Sequence, residues 1–265
     1  MQQPITVIVC GARGRMGQET VAAVSRDPAL RLVGATVRAG EDTLLPLPDG
    51  GHVPLSSDLA GLLARTHAQV VVDFTRAEAA VQNGRIALES GAHFVTGTTG
   101  IPAEEIAELG RLAEQKGLGT IIAPNFAIGA VLAMAFARMA ARYFDYAEII
   151  ELHHEKKVDA PSGTAIATAR AMREARGRDF LETEITKETL PGPRGASLGG
   201  VRLHSIRLPG LVAHQEVILG GLGQTLTIRH DSTSRESFMP GVLLAIKEVV
   251  RRPGLTLGIE PLLGL

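Results

Sequence analysis

The segment "ITVIVCGARGRMG" (5–17) decides the fold, because a short apolar run passes directly into a glycine-rich turn. A continuous, β-branched apolar run is typical of a strand that is buried on both faces. Gly11, Gly14 and Gly17 then precede a helical pattern that extends to about Arg26. Glycines in this place let the backbone approach a pyrophosphate at the helix N-terminus, which favours dinucleotide binding. The alternative is that they only close a tight strand-to-helix turn.

Further strand patterns alternate with helix patterns from this turn up to residue 126. We predict these strands at 30–37, 68–75, 92–100 and 118–125. Strands that alternate with helices predict a parallel, doubly wound sheet. The loops "GTTG" (97–100) and "APNF" (123–126) follow two of the strands, so they are expected at the sheet edge where ligands bind. Ordinary strand-to-helix turns would explain these two loops equally well.

After residue 126 the pattern becomes mixed. We predict a helix at 127–144, a helix from about 163 to 176 after the segment "YAEIIELHH" (146–154), a mobile Gly/Pro-rich loop at 190–200, three successive strands, a helix near 235–251 and an apolar tail. The predicted fold class is α/β, with an N-terminal Rossmann-like parallel-sheet domain of residues 1–126 that residues 236–265 complete. Residues 127–235 are predicted to form an α+β domain with a mixed sheet.

The composition argues against several classes of partner. The formal net charge is -1, aromatic residues make up 3%, and there is no Trp, so nucleic acid is not an expected partner. No apolar stretch approaches the roughly 20 residues of a membrane span, so no membrane partner is expected. The single cysteine, Cys10, lies in an apolar run and is predicted to be a buried side chain in a cytoplasmic protein.

A second segment, "ELHHEKKVDAPSGTA" (151–165), concentrates titratable side chains. Adjacent histidines on a strand point to opposite faces, so His153 and His154 do not indicate a metal site. Ser162 is a predicted N-cap, and a helix N-terminus beside Lys157 suits a carboxylate, while the lysine and histidines can donate protons. A solvated loop or a surface for a protein partner are the alternatives.

The end of the second predicted strand bears on the choice of cofactor. Dinucleotide sites often place an acidic residue there for the ribose hydroxyls, but this chain has Val37 followed by Arg38. An arginine suits a 2′-phosphate, which favours NADPH, with NADH as the alternative. A solvated surface arginine fits the pattern nearly as well.

With both segments in view, the chain resembles the dihydrodipicolinate reductase (4-hydroxy-tetrahydrodipicolinate reductase) family of the diaminopimelate route to lysine. The resemblance runs nearly end to end and is carried by "GARGRMG", "VDFT", "GTTG", "APNF" and above all residues 151–165. It implies a Rossmann-like domain and a mixed-sheet domain that builds a homotetramer. It also implies an NAD(P)H-dependent oxidoreductase that reduces a small cyclic dicarboxylate to tetrahydrodipicolinate. No metal is implied.

The resemblance also implies roles for particular residues. His153 matches the acid/base histidine of the family, Lys157 its proton donor and His154 a substrate contact, while Gly163 and Thr164 match the pair that binds a substrate carboxylate. Arg38 matches the residue that meets the 2′-phosphate. The matching cofactor loops are Gly11, Ala12, Arg13, Gly14, Arg15, Met16, Gly97, Thr98, Thr99, Ala123, Pro124, Asn125 and Phe126. Another small-acid dehydrogenase and a nucleotide-sensing regulator of the same fold are the alternative functions.

Overall fold

The computed structural model describes residues 3–40 and 43–265. Contacts between residues divide the chain into two compact units, of which the first comprises Met1–Ile128 and Phe238–Leu265 and the second Gly129–Ser237. The predicted breaks were after residue 126 and before residue 236. The second unit is thus a continuous segment, and the first is built from both ends of the chain.

The strands in chain order are β1 (Ile5–Cys10), β2 (Leu30–Thr36), β3 (Thr43–Pro46), β4 (His52–Ser56), β5 (Val70–Asp73), β6 (His93–Thr96), β7 (Gly119–Ile122), β8 (Tyr146–His153), β9 (Ala196–Leu198), β10 (Val201–Arg207), β11 (Ala213–Gly221), β12 (Gln224–Ser232) and β13 (Gly254–Leu257). The helices are α1 (Arg15–Arg26), α2 (Leu59–Thr66), α3 (Ala77–Glu89), α4 (Ala103–Lys116), α5 (Ile128–Ala140), α6 (Gly163–Arg176) and α7 (Met239–Val249). Short 3₁₀ turns follow α5, precede α7 and follow β13.

The first unit is built on a sheet with the strand order β13-β7-β6-β5-β1-β2-β4-β3. Its pairs are parallel except for the antiparallel pair of β3 and β4. The central strands are buried on both faces, as the continuous apolar runs predicted: Val7, Ile8 and Val9 are all inaccessible to solvent. One face packs against the apolar residues of α2, α3 and α4. The predicted α/β class with a parallel Rossmann-like sheet is confirmed.

The second unit contains a five-stranded sheet with the order β12-β11-β8-β10-β9. β8 and β10 are parallel and the other pairs are antiparallel, so the prediction of a mixed sheet is confirmed. Ile149 on β8 lies opposite Leu203 and Val217 and packs with them against the small residues of α6. Alternate residues of β8 share this covered face, and Glu151 is therefore turned toward the helix side of the sheet.

Several predicted boundaries were wrong. No element was predicted for residues 38–67, where the structure has β3, β4 and α2, and no strand was predicted after residue 251, where the structure has β13. Part of the predicted loop at 190–200 is β9, which pairs with β10. The helix predicted at 127–144 ends as an α-helix at Ala140. Across residues 3–40 and 43–265, no helix is both long and apolar enough to cross a bilayer.

Candidate active site

The glycine-rich turn after β1 is packed too tightly for side chains. A Cβ atom on Gly17 would lie 2.1 Å from the carbonyl oxygen of Gly11 and 2.8 Å from Cα of Ala12. Gly11 itself has a φ of +77°, a left-handed conformation that favours glycine. Gly14 is the N-cap of α1 and has no side chain to cap it, so the first N–H groups of α1, at Arg15 and Met16, are open to a ligand.

A cleft of about 720 Å³ lies beside this turn. The backbone N–H groups of Gly11 and Ala12 both donate to the carbonyl oxygen of Thr36 at the end of β2, at 3.1 Å. This pairing brings the residues after β2 next to the glycine turn. The cleft is consequently lined by three arginines, Arg13, Arg38 and Arg76, and none of its described lining residues is acidic. Its charge suits a phosphorylated ligand.

Asp73 at the end of β5 connects this cleft to the predicted loop at 97–100. Its carboxylate is fully buried and accepts hydrogen bonds from the Thr75 backbone N–H (3.0 Å), Asn83 Nδ2 (2.8 Å) and Thr98 Oγ1 (3.0 Å). Asp73 thereby holds the turn after β5 and the loop after β6 together, a role that the sequence analysis did not assign to it.

The predicted loop at 123–126 meets the glycine turn and the loop at 97–100 around Phe74. The Phe74 and Phe126 rings are in edge-to-face contact with centroids 5.9 Å apart, and a Cβ on Gly97 would lie 2.2 Å from the Phe74 ring. A Cβ on Gly11 would likewise lie 3.1 Å from the Phe74 carbonyl oxygen. Phe126 and Ala123 are buried, whereas Pro124 and Thr99 are exposed. The structure therefore brings all three predicted cofactor loops together in the first unit.

These features fit a dinucleotide. The glycine turn leaves the space that a Cβ would fill, the N-terminus of α1 offers unpaired N–H groups, and the adjacent cleft is cationic. Gly11 to Met16 would hold the pyrophosphate and Arg38 a phosphate on the ribose. In the described part of the chain, no group of three or more His, Cys, Asp or Glu side chains is arranged to hold a metal ion.

In the second unit, the predicted histidines differ in their setting. β8 ends at His153, and His154 lies just beyond the strand. Nδ1 of His153 lies 2.5 Å from Oε2 of Glu151. Lys157, in the following loop, forms an ion pair with Asp159 at 2.8 Å, which lowers the pKa of the Asp159 carboxyl.

The helix predicted at 163–176 is α6, and its bounds match the prediction. The Ser162 side chain accepts a hydrogen bond from the Ala165 backbone N–H at 3.1 Å, as an N-cap does. Gly163 and Thr164 form the first turn, where no carbonyl of the helix can accept from their N–H groups. These two N–H groups are available to an anion, and the helix dipole favours one there.

Two residues that the sequence analysis missed complete the arrangement around His153. Arg207, which pairs with His153 across β8 and β10, makes a bidentate ion pair with Glu151 at 2.7 and 2.9 Å. The Ser162 backbone N–H also donates to Glu151, at 3.2 Å. Glu151 stands two residues before His153 on a strand, which places both on one face and could have pointed to it. Nothing local in the sequence indicates Arg207.

The charges around His153 determine its protonation. Burial alone would raise the pKa of Glu151, but hydrogen bonds from Arg207, Ser205 and His153 outweigh burial and hold the pKa below its ordinary value. Burial lowers the pKa of His153, and the charges of Lys157 and Arg207 act in the same direction, against the opposing effect of Glu151. At neutral pH the site therefore holds an ionised glutamate beside a neutral histidine.

Comparisons with known proteins agree with the resemblance of the motifs. Residues 5–126 match the family model described as dihydrodipicolinate reductase, N-terminus, and residues 129–263 match the model described as dihydrodipicolinate reductase, C-terminus. The chain belongs to the dihydrodipicolinate reductase family. Each of the two matched regions contains one of the arrangements described above, the glycine turn in the first and the Glu151–His153 pair in the second.

Relatives in this family are similar to the chain over almost its whole length. Proteins named 4-hydroxy-tetrahydrodipicolinate reductase from Dehalococcoides mccartyi and Moorella thermoacetica are 50% and 51% identical over 263 residues, covering 99% and 98% of both chains in each pair. A solved structure described as dipicolinate-bound dihydrodipicolinate reductase from Paenisporosarcina is 41% identical, with a TM-score of 0.89 over 98% of this chain and 99% of that one. A mycobacterial amine dehydrogenase, at 18% identity and a TM-score of 0.66, shares the fold alone.

Proposed function

We propose that this chain catalyses the NAD(P)H-dependent reduction of 4-hydroxy-tetrahydrodipicolinate (dihydrodipicolinate) to tetrahydrodipicolinate in the diaminopimelate route to lysine. One observation carries the proposal: a single segment supplies a histidine, a lysine and an open helix N-terminus within twelve positions, from His153 to Thr164. A cyclic dicarboxylate needs an anion site and a proton donor side by side. The family relatives carry the name of this reaction.

In this proposal, backbone and side-chain groups of the second unit bind the substrate. The N–H groups of Gly163 and Thr164 would bind one substrate carboxylate, because they end a helix dipole and have no acceptor within the helix. His154 would contact the substrate from the loop after β8. The Lys157 ammonium forms an ion pair with Asp159 at 2.8 Å, and a substrate carboxylate would compete with the Asp159 carboxylate for this ammonium.

Lys157 is the proposed proton donor. When bound, the reduced nicotinamide supplies a hydride, which leaves negative charge developing on the ring of the substrate. An ammonium group stabilises that charge and can then deliver a proton to it. The neutral His153 would act as the acid/base partner, since an imidazole with a lowered pKa can accept and return a proton near neutral pH.

We also propose NADPH as the preferred cofactor, with NADH as the alternative. The cleft that holds Arg38 also presents Arg13 and Arg76, and its described lining has no carboxylate for a ribose 2′-hydroxyl. An arginine beside a 2′-phosphate forms a charge-assisted hydrogen bond, which is worth about 1.5–3 kcal/mol. Arg38→Ala should therefore raise the Kd for NADPH by about 10-fold or more and leave that for NADH within a factor of about two. Arg31→Ala, an exposed arginine on β2, is the control.

In this proposal the first unit is the dinucleotide-binding domain and the second binds substrate and forms a homotetramer in the cytoplasm. The second sheet supports assembly, because the face opposite α6 carries Ile150, Leu152, Ile206 and Ile218, which are only partly buried within one chain. The covered face, by contrast, has Ile149 and Val217 almost inaccessible. Multi-angle light scattering would test the tetramer, and a monomer at micromolar concentration would contradict it.

Steady-state turnover of freshly made substrate with NADPH tests the proposed reaction. Lys157→Ala should lower kcat by about 10²-fold or more, the scale of a general acid. Lys156→Ala is the matched control, because it removes the neighbouring exposed ammonium and should keep kcat within a factor of about two. If the wild-type chain binds NADPH but oxidises none of it in the presence of substrate, the fold assignment stands and the reductase proposal is wrong.

A further inference from the structure

The buried side chain of Glu151 is the centre of a cluster that connects three elements of the second unit. Its side chain is 1% exposed, and its two oxygens accept from His153 on the same strand, from Arg207 on β10 and from the Ser162 N–H at the start of α6. Arg207 also donates to the Asp159 carbonyl oxygen at 2.7 Å, in the loop that carries Lys157. The cluster therefore connects His153, the loop that carries Lys157 and the start of α6.

The parallel register of β8 and β10 builds this cluster. Glu151 lies opposite Ser205, and His153 lies opposite Arg207, so all four side chains emerge on one face. Glu151 and Arg207 then complete a bidentate ion pair, the geometry in which a guanidinium holds a carboxylate most rigidly. A carboxylate fixed in this way gives His153 one acceptor in a defined direction.

The hydrogen bond fixes which nitrogen of His153 carries the proton. An ionised carboxylate only accepts, so the 2.5 Å contact places the proton of the neutral imidazole on Nδ1. Nε2 then keeps its lone pair, and no residue within 3–40 or 43–265 hydrogen-bonds to it. His153 is thus presented with a free basic nitrogen rather than with a free N–H donor.

We propose that Glu151 and Arg207 are positioning residues that hold His153 as the neutral tautomer with the proton on Nδ1 and its Nε2 turned to the substrate. This inference deepens the proposed function and rests on it for the identity of the substrate. Glu151 orients the ring, while Arg207 neutralises Glu151 and prevents it from drawing a second proton onto the imidazole. Lys157 remains the proton donor, and His153 accepts a hydrogen bond or a proton at Nε2.

The charged groups that face His153 determine how it titrates. Glu151 comes from its own strand, Arg207 from β10, and Lys157 with its partner Asp159 from the following loop. The opposite residue on β11 is Ala213, and the start of α6 presents Ser162, Gly163 and Thr164, none of which is ionisable. Glu151 favours the charged imidazolium, and Arg207 and Lys157 oppose it.

The test is histidine ¹⁵N NMR on the full-length protein, with the His153 signal assigned by comparison with His153→Gln. In the wild type at pH 7 we expect a protonated-type signal for Nδ1 and an unprotonated-type signal for Nε2. Glu151→Gln should lower the titration midpoint of His153 by about one pH unit or more, because an opposite charge at this range stabilises the imidazolium. The matched control is Glu148→Gln, which removes a carboxylate that bonds His204 and Arg194 from the other face of β8 and should leave His153 unchanged.

A double variant separates positioning from a merely structural role. Glu151→Gln with Arg207→Gln removes charges of opposite effect, so the midpoint of His153 should lie closer to that of the wild type than in Glu151→Gln alone. In parallel, Glu151→Gln should lower kcat about tenfold or more while KM for NADPH stays within a factor of about two. A wild-type His153 protonated on Nε2, or a Glu151→Gln variant that titrates like the wild type, would overturn the inference.

The NMR readout needs no substrate, so it separates this inference from the proposed function. If the wild type fails to reduce the proposed substrate but His153 shows the expected tautomer and shifts, the positioning pair stands and the substrate assignment falls. If turnover is normal but the tautomer is the opposite one, the reductase assignment stands and the positioning pair is refuted. If the Glu151 variants do not fold, the wild-type tautomer still tests the inference, because a His153 protonated on Nε2 would refute it.

Discussion

Gly17→Ala should disrupt the first unit at the turn between β1 and α1. The new Cβ would lie 2.1 Å from the Gly11 carbonyl oxygen, whereas ordinary contacts of a Cβ begin at 3.4 Å. An ordinary contact would require the β1–α1 backbone to separate by 1.3 Å, the difference between these distances. The opposing atoms are backbone and cannot rotate away, so the destabilisation lies at the upper end of the 1–3 kcal/mol that overpacking costs, about 3 kcal/mol.

The helix itself favours the substitution, and the two effects must be weighed. Alanine in place of a helical glycine gains about 1 kcal/mol, so the net loss is about 2 kcal/mol. For a chain of this size that corresponds to a fall in Tm of about 4–8 °C. Because the shifted atoms are those of the proposed pyrophosphate site, we also expect the affinity for NADPH to fall about tenfold or more.

Thermal unfolding by circular dichroism and a fluorescence titration with NADPH would measure both effects. Gly220→Ala on β11 is the control, since its new Cβ would meet Tyr146 at an ordinary 3.5 Å. If Gly17→Ala unfolded within about 1 °C of the wild type and bound NADPH normally, the packing argument for this glycine would be refuted.

Three further predictions concern single side chains. Asp73→Asn should lower the stability by about 1.5–3 kcal/mol, because the hydrogen bond from Thr98 would lose its charged acceptor, and the fall in denaturation midpoint would measure the loss. Ser162→Ala should cost about 1 kcal/mol in thermal unfolding as the α6 cap is lost, and a higher substrate KM should accompany it. Burial alone would raise the pKa of Asp27, but the hydrogen bond from Lys247 outweighs burial and lowers the pKa overall. This pair therefore stabilises the folded chain at pH values above 3.8, the ordinary pKa of the carboxyl. The stabilisation is lost as the pH falls through the lowered pKa. Asp27→Asn should remove that part of the acid dependence of Tm, and an unchanged dependence would contradict the assignment.

Local signals explain which elements could be predicted from sequence. The start of α6 could be predicted because Ser162 is a capping residue, and the structure ends this helix at Gly177, which adopts the left-handed conformation. β1 and β5 could be predicted from their continuous apolar runs, which are typical of strands that are buried on both faces. In contrast, β3 and β4 are short, each contains a proline, and β3 is largely exposed, so the pairing of β3 with β4 and of β4 with β2 defines them.

The candidate site divides in the same way. His153, Lys157 and the start of α6 lie in one continuous segment, so their chemistry could be recognised before the fold was known. Arg207 lies 56 positions from Glu151 and reaches it only through the parallel register of two strands. The cleft arginine Arg76 similarly depends on the end of β5 lying beside β1. The register between strands that are distant in the chain cannot be predicted from any single segment of the sequence.

The position of β13 has a consequence for the order in which the chain can fold as it is synthesised. β13 adds to the outer side of β7, where the Gly254 N–H donates to Leu118 and the Gly258 N–H to Ile122. The ribosome makes β13 only after the whole of the second unit, so β7 leaves the ribosome as an unpaired edge. All residues of the second unit are made before β13, so its internal contacts can form first. The sheet of the first unit is completed only when β13 pairs with β7, across more than a hundred intervening residues. The nascent chain therefore carries an open strand edge while residues 123–253 are made, and that edge is where misassociation between newly made chains would begin.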